Sequence, residues 1–517
     1  MLLPNEAEHE KELPHEKPST QLENSTYTVE QAVENAGFGL FQIKIILITG
    51  LLTACDAMEM LLLSVLGPAL RCVWHLSSHD VATITTAVFV GFLFGAPCWG
   101  YFADRFGRKI TYSLVLTIIA YFGFLTAVSP TYIWLVFLRT VIGFAIGGAS
   151  SSSTLLSEYL PAKYRARGLM SLQVFWALGG SFEVAVAYML LPYGGWRWYL
   201  FASAVPMFVS LISLWWLPES TRFLAASNRI NEAEQIVLEM HYTNKVKLLP
   251  GRLVQPQSSE NPGSFKTLFA KDYLKTTLML PVIWFAAAFN YYGVVLLSST
   301  LLTSRPGCYS KYGTFLINGS WIYNNALAEA HGDTSCCQNL TNDDYIAMLT
   351  SSLGEFPVIP LTVLAMDFLG RRRSMSIALG LESVLFALLI ICMDKIPAVI
   401  LLLILRALAS GHFNICYTYT LECYPTVIRS LAVGIFSSIA RIGAMTTPYV
   451  AQVMLPDYSL PGALSLYSLV CVIAGIFSLL LPIETLGRGL PQSAGEVEIS
   501  YKKPADSSPR KEHELKQ

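Results

Sequence analysis

Apolar runs of about 20 residues, separated by short polar connections, recur through most of the sequence and exclude nearly every fold class but one. A run of that length crosses a bilayer as a helix, because a helix satisfies its own backbone polar groups where water is absent. Short connections force consecutive helices to lie antiparallel. Composition agrees: 53% of the 517 residues are hydrophobic and 14% are charged, against about 25% charged in a soluble domain. A net charge of −1 gives no argument for nucleic acid as a partner. The chain reads as an all-α integral membrane protein.

Twelve spans are expected at 42–70, 80–102, 110–129, 131–157, 168–192, 196–217, 275–300, 345–366, 374–393, 397–421, 430–454 and 462–482. Residues 1–41 are polar and Glu-rich, lack the apolar core of a cleavable signal, and read as a disordered tail. Basic residues sort by side. Arg105, Arg108, Lys109, Lys163, Arg165, Arg167, Arg371, Arg372, Arg373, Arg429 and Arg488 collect on the side of the first tail, whereas the opposite face has few, such as Arg71, Arg197 and Lys395. Both termini are therefore expected in the cytoplasm. The resulting plan is a tail (1–41), an N-terminal six-helix half (42–217), a cytoplasmic central loop (218–274), a C-terminal six-helix half (275–482) with a non-cytoplasmic loop at 301–344, and a second tail (483–517). Arg229–His241 in the central loop is patterned as a short amphipathic helix.

The 301–344 loop contains Asn318-Gly-Ser320 and Asn339-Leu-Thr341, both N-glycosylation sequons. Asn24-Ser-Thr26 matches too, but on the cytoplasmic side it should stay unmodified. Cys72, Cys308, Cys336 and Cys337 share the non-cytoplasmic face, where disulfides persist, and their pairing is open. Cys55, Cys98, Cys392, Cys416 and Cys471 within spans, and Cys423 at a span end, read as small apolar packing residues.

The two halves repeat. The turn Gly100-Tyr-Phe-Ala-Asp104-Arg105-Phe-Gly107-Arg108-Lys109 returns in weaker form as Asp367-Phe-Leu-Gly370-Arg371-Arg372, 263 residues later, with Val363 in the place of Gly100. Glu158-x-x-Pro161-x-x-x-Arg165 returns as Glu422-x-x-Pro425-x-x-x-Arg429 at an offset of 264. Arg139 matches Arg406 at 267, and Glu219 after Pro218 matches Glu484 near Pro482 at 265. Six spans lie between equivalent points, so the halves share one orientation in the bilayer, related by an axis along the membrane normal.

These motifs, with Arg139-x-x-x-Gly143-x-x-x-Gly147, Arg165-Ala-Arg167-Gly168 and Pro218-Glu219-Ser220-Thr-Arg222, resemble the set shared by sugar porters and organic-ion transporters of the major facilitator superfamily. Residues 34–75, especially Asp56-Ala-Met-Glu59-Met60, resemble its synaptic-vesicle-two-related group more narrowly. The resemblance implies twelve helices in two parallel six-helix repeats. It also implies cytoplasmic charge networks, here Asp104, Arg108, Glu158, Arg165, Asp367, Arg371, Glu422 and Arg429, that favour the outward-facing state. The plain alternative is that these charges only set topology.

Ionisable groups at mid-span cost about 2.5–3.5 kcal/mol and are substrate or proton sites by default. They are Asp56 and Glu59 in span one, Glu183 in span five, Glu355 in span eight and Arg441 in span eleven. Asp56 and Glu59 lie three apart on one helix face, where two acids suit proton carriage, unless Arg139 or Arg441 holds them as a static ion pair. Ala440-Arg441-Ile-Gly443 resembles the stretch where organic-anion carriers keep an arginine and organic-cation carriers an acid. Trp284-Phe285 and Tyr291-Tyr292-Gly293 look closer to organic-ion carriers than to sugar porters. Trp176, Tyr291, Tyr292 and Tyr417 suit a flat organic group or a cation, or serve only as packing. The acids argue for a cation or proton and Arg441 for an anion.

His75-x-x-x-x-Asp80 stands in an outer loop without supporting motifs, and the sequence has no phosphate-binding P-loop and no His-Glu-x-x-His site. The expectation is a monomeric, cofactor-free secondary carrier of a small organic ion, not an enzyme, in a vesicle or plasma membrane, with protons as a candidate coupling ion. The competing expectation is a vesicle-membrane receptor or scaffold on the same fold.

Overall fold

The computed structural model describes residues 26–254, 265–303, 314–317, 320–323, 340–391, 393–424 and 426–486. A short helix α1 (Val29–Ala36) precedes the membrane helices α2 (Leu40–Trp74), α3 (Ser78–Phe106), α4 (Arg108–Ala127), α5 (Tyr132–Ile146) with α6 (Ser150–Tyr159), and α7 (Ala162–Ser213). A kink at Gly195 (φ 71°) divides α7 between the fifth and sixth expected spans. Then come α8 (Thr221–Ala226), α9 (Ile230–Asn244), α10 (Phe265–Leu268) and α11 (Lys271–Thr303). The second half continues with α12 (Asn342–Leu353), α13 (Glu355–Leu369), α14 (Arg371–Leu388), α15 (Lys395–Cys423), α16 (Thr426–Pro448), a π-helical stretch at Tyr449–Tyr458, and α17 (Leu460–Leu480).

Nine helical segments among the described residues are long and apolar enough to cross a membrane. The fourth expected span falls on α5 and α6, broken at Gly147–Ala149, and the ninth on α14, which opens with three arginines and carries Glu382. Packing repeats as the sequence does. α2 lies along α7, α3 along α5 and α4 along α7; correspondingly α11 lies along α16, α13 along α15 and α14 along α17. The α3–α5 contact is backbone on backbone: a Cβ added to Gly143 would sit 2.0 Å from the Val88 carbonyl oxygen. Glycine's missing side chain is what lets these two helices close.

Residues 26–36, assigned above to a disordered tail, are ordered. Val29, Ala32, Val33 and Ala36 recur at helical spacing and are buried, a stripe hidden by the polarity of the surrounding sequence. Thr28 and Gln31 form a capping box, and β1 (Thr26–Tyr27) pairs in parallel with β2 (Arg252–Leu253). Glu34 accepts the amide of Ala162 at the start of α7 (2.5 Å). In the 301–344 loop β3 (Thr314–Ile317) and β4 (Ser320–Tyr323) form an antiparallel pair, a small departure from the all-α expectation.

Asn318, Asn339, Cys308, Cys336, Cys337 and Cys392 lie outside the described residues, and Cys72 lies in α2 with its side chain outside the description. Cys55, Cys416, Cys423 and Cys471 are buried among helices, whereas Cys98 is exposed.

Candidate functional site

Two buried ion pairs stand at the heart of the molecule. In the first half Glu59 on α2 receives Nη1 of Arg139 on α5 at 2.9 Å, with side-chain exposures of 3% and 1%. In the second half Glu355, at the start of α13, receives Nε of Arg406 on α15 at 2.7 Å. The arginines are repeat equivalents, but their carboxylates come from different helices of the two halves. Asp56 and Glu59 diverge: Asp56 accepts the Tyr112 hydroxyl of α4 (3.3 Å), and its Oδ1 has no hydrogen-bond partner among the described residues. Glu183 accepts Ser203 (2.7 Å) across the kink of α7. Of the two static ion pairs that the sequence left open for the span-one acids, the one with Arg139 is the one present.

An aromatic chain joins the halves. The Trp176 indole on α7 donates to the Tyr291 hydroxyl on α11 (2.6 Å), and Tyr291 donates to Glu355 (3.3 Å). Tyr291 stacks over Phe413, which meets Trp284, which in turn meets Tyr417, so Tyr417 is linked to this cluster only through two rings. Arg441 on α16 crosses to the first half: its guanidinium lies 3.5 Å from the centre of the Phe92 ring on α3, with the Tyr292 hydroxyl 3.5 Å from Nη1. No carboxylate lies within ion-pair distance of Arg441 among the described residues.

The repeated basic turns close on themselves. Glu219 accepts the amides of Arg108 (2.8 Å) and Lys109 (3.1 Å), placing a carboxylate at the positive N-terminus of α4. Glu484 does the same for Arg371 (2.8 Å) and Arg372 (3.2 Å) at α14. Arg108 pairs with Asp104 (3.0 Å) and Glu158 (3.7 Å), and Arg371 with Glu422 (2.8 Å). Ser220 and Thr485 donate to Glu158 and Glu422 respectively. Gly107 and Gly370 (φ 103° and 84°) supply the turn conformation. A Cβ at Gly100 would meet nothing within 4 Å, and Val363 in the second copy is partly buried against the core.

Every one of these pairs lies within one half. Asp367 is exposed and forms no ion pair among the described residues. Arg165 and Arg429 do not reach Glu158 or Glu422; each caps a carbonyl five residues back, of Leu160 (3.5 Å) and Tyr424 (3.1 Å). Burial holds the Arg429 guanidinium below its ordinary range, and the positive charge of Arg165 adds to this. At the opposite end the halves do touch: Thr85 donates to Gln452 and Thr86 to the Met445 carbonyl (both 3.3 Å), and Tyr188 meets Tyr345.

Residues 18–332 match the model of the family described as Sugar (and other) transporter, and residues 312–512 match Major Facilitator Superfamily. The synaptic vesicle 2-related protein of Rattus norvegicus is 39% identical over 471 residues, covering 91% of this chain and 83% of that one. The chain belongs to the synaptic vesicle 2-related group of the major facilitator superfamily. Homo sapiens SVOPL is 38% identical over 471 residues, covering 91% of this chain and 94% of its own. Among solved structures, a partially occluded inward open conformation of the xylose transporter XylE from E. coli superposes with a TM-score of 0.65 at 17% identity, over 87% of this chain and 99% of that one. This is a transporter family and not an enzyme family, and the fold is that of the major facilitators.

Two features of this major facilitator chain escaped the sequence reading. Glu219 and Glu484 were visible as repeat-related acids after a proline, but their role as helix caps was not. Glu382 and His412, 30 residues apart on neighbouring helices, form a fully buried pair (2.5 Å) for which no motif gave a signal.

Proposed function

We propose that the chain carries a small organic anion with a flat apolar part across a membrane by alternating access, with protons as the coupling ion. The observation that carries this reading is Arg441: buried Arg139 and Arg406 are each neutralised by a carboxylate, whereas Arg441 faces the other half against an aromatic ring and a hydroxyl. A guanidinium in a dry site binds carboxylate or phosphate bidentately. Asp56 and Glu183 are buried without a cation partner among the described residues, which suits protons better than a permanent charge. The halves touch at the end bearing the 301–344 loop, and the basic turns at the other end form no ion pair between halves among the described residues, which is what a carrier closed on the non-cytoplasmic side requires.

The test is a thermal-shift screen of organic anions, organic cations and sugars on the detergent-purified protein at about pH 5.5 and 7.5, because a ligand of the native state raises the melting temperature. An anion hit lost in Arg441→Ala is the expected result. A cation hit lost in Asp56→Asn would reverse the charge class. Silence across the panel from folded protein would favour the receptor or scaffold reading.

A further inference from the structure

The C-terminal half encloses a second polar cluster, away from the central ion pairs. Glu382 on α14 and His412 on α15 have no exposed side-chain surface, and His412 Nδ1 lies 2.5 Å from Glu382 Oε1. From α11, Asn290 Nδ2 approaches the other carboxylate oxygen (3.5 Å) and the Cys471 sulfur (3.1 Å). Cys471 on α17 faces the same oxygen at 3.8 Å. α13 meets this stretch of α15 at Gly411 through Val358 and Thr362. The titratable groups facing one another from the four helices are therefore Glu382, His412 and Cys471, with uncharged Asn290 as the fourth member. Two atoms have no partner among the described residues: His412 Nε2 and Asn290 Oδ1.

The chemistry of the cluster follows from counting protons. One proton is shared between His412 Nδ1 and the carboxylate. With the proton on Nδ1 and the carboxylate ionised, the imidazole is neutral, the pair carries one net negative charge, and Nε2 presents its lone pair. A proton arriving at Nε2 converts this to an imidazolium–carboxylate pair with no net charge. Apolar residues of similar volume would fill the same space without the desolvation penalty, so packing alone does not call for these groups.

We propose that Glu382 and His412 form a proton-binding site of the C-terminal half, distinct from Asp56, Glu59 and Glu183, which takes up one proton at His412 Nε2. His412 lies six residues beyond Arg406 on α15, about 9 Å along the helix axis. A change in charge at His412 thus acts on the helix that holds Arg406 against Glu355. The link to transport rests on the carrier reading, whereas proton binding does not, and it is measured without substrate.

The experiment is infrared difference spectroscopy of the full-length protein in lipid nanodiscs, stepped between about pH 5 and 8, the range in which histidine titrates. The wild-type protein is expected to show one more titrating imidazole than His412→Gln, read as a difference band above the signal of the other seven histidines. Glu382→Gln should move the ring frequencies of that difference band, because the carboxylate facing Nδ1 is gone. A titrating signal unchanged in His412→Gln, or ring frequencies unmoved in Glu382→Gln, would overturn the proposal. Where His412→Gln does not fold, Glu382→Gln, which keeps the side chain's size, decides alone.

Discussion

The Glu59–Arg139 pair permits a quantitative test of how the first half is held together. Both side chains are nearly sealed from solvent, and the 2.9 Å bond is the Arg139 guanidinium's contact with a counter-charge. Removing either partner leaves an uncompensated buried charge, which costs about 3–5 kcal/mol. Arg139 already has two nitrogens, Nε and Nη2, without hydrogen-bond partners among the described residues. The pair is thus incompletely satisfied, and replacing both members by glutamine removes the two charges together. With each single change near 3 kcal/mol and the double no worse than either, the interaction energy is about 3 kcal/mol or more. Unfolding of the detergent-solubilised protein by denaturant, followed by fluorescence of its 10 tryptophans, supplies the four stabilities of the cycle. Additivity of Glu59→Gln and Arg139→Gln to within about 0.5 kcal/mol would refute the reasoning.

Two further outcomes are expected. Gly143→Ala places a Cβ 2.0 Å from the Val88 carbonyl oxygen, where ordinary contact begins at 3.4 Å, so α5 must retreat. The melting temperature should fall by the equivalent of about 1–3 kcal/mol, while Gly434→Ala, which meets nothing within 4 Å in its helix, should not lower it; equal falls would refute the close-packing account. Glu158, beyond the fourth span, is buried, and burial pushes its carboxyl above the ordinary value of 4.5, opposed by its Ser220 hydrogen bond and then by Arg108 and Arg222. The folded state therefore keeps a proton that the unfolded chain releases, and this contribution is lost as pH rises from 4.5 through the folded value. In that window wild type should lose stability against Glu158→Gln in thermal melts; parallel profiles would exclude the effect.

The turns were legible because their chemistry is local. A glycine able to take positive φ, with an acid and arginines within a few residues between two apolar runs, marks a tight turn between helices, and the second copy at nearly the same offset as the other repeats identified the pair of halves. The stripe at Val29–Ala36 was equally local, yet its polar surroundings hid it; its helix packs against α8 and α9 in the central loop, and Asn35 donates to the Lys247 carbonyl, 212 residues away. The Glu382–His412 pair had no local signature at all, because each residue alone is an ordinary polar group in a span.

Sequence alone determined that this chain crosses a membrane repeatedly, that it does so in two parallel halves, and which mid-span charges would be costly to keep. Those properties depend on hydrophobic length, charge asymmetry and periodicity, all of which act along the chain. Tertiary structure decided the partners. Arg139 and Arg406 occupy equivalent places in the repeat, but one meets an acid from the first helix of its half and the other an acid from the second. Asp56 and Glu59, three residues apart, turn to different neighbours, and Arg441 reaches a ring in the opposite half. A buried charge is stabilised by whatever side chain lies within about 4 Å, and in a helical bundle that distance is set by packing between helices rather than by position along the chain.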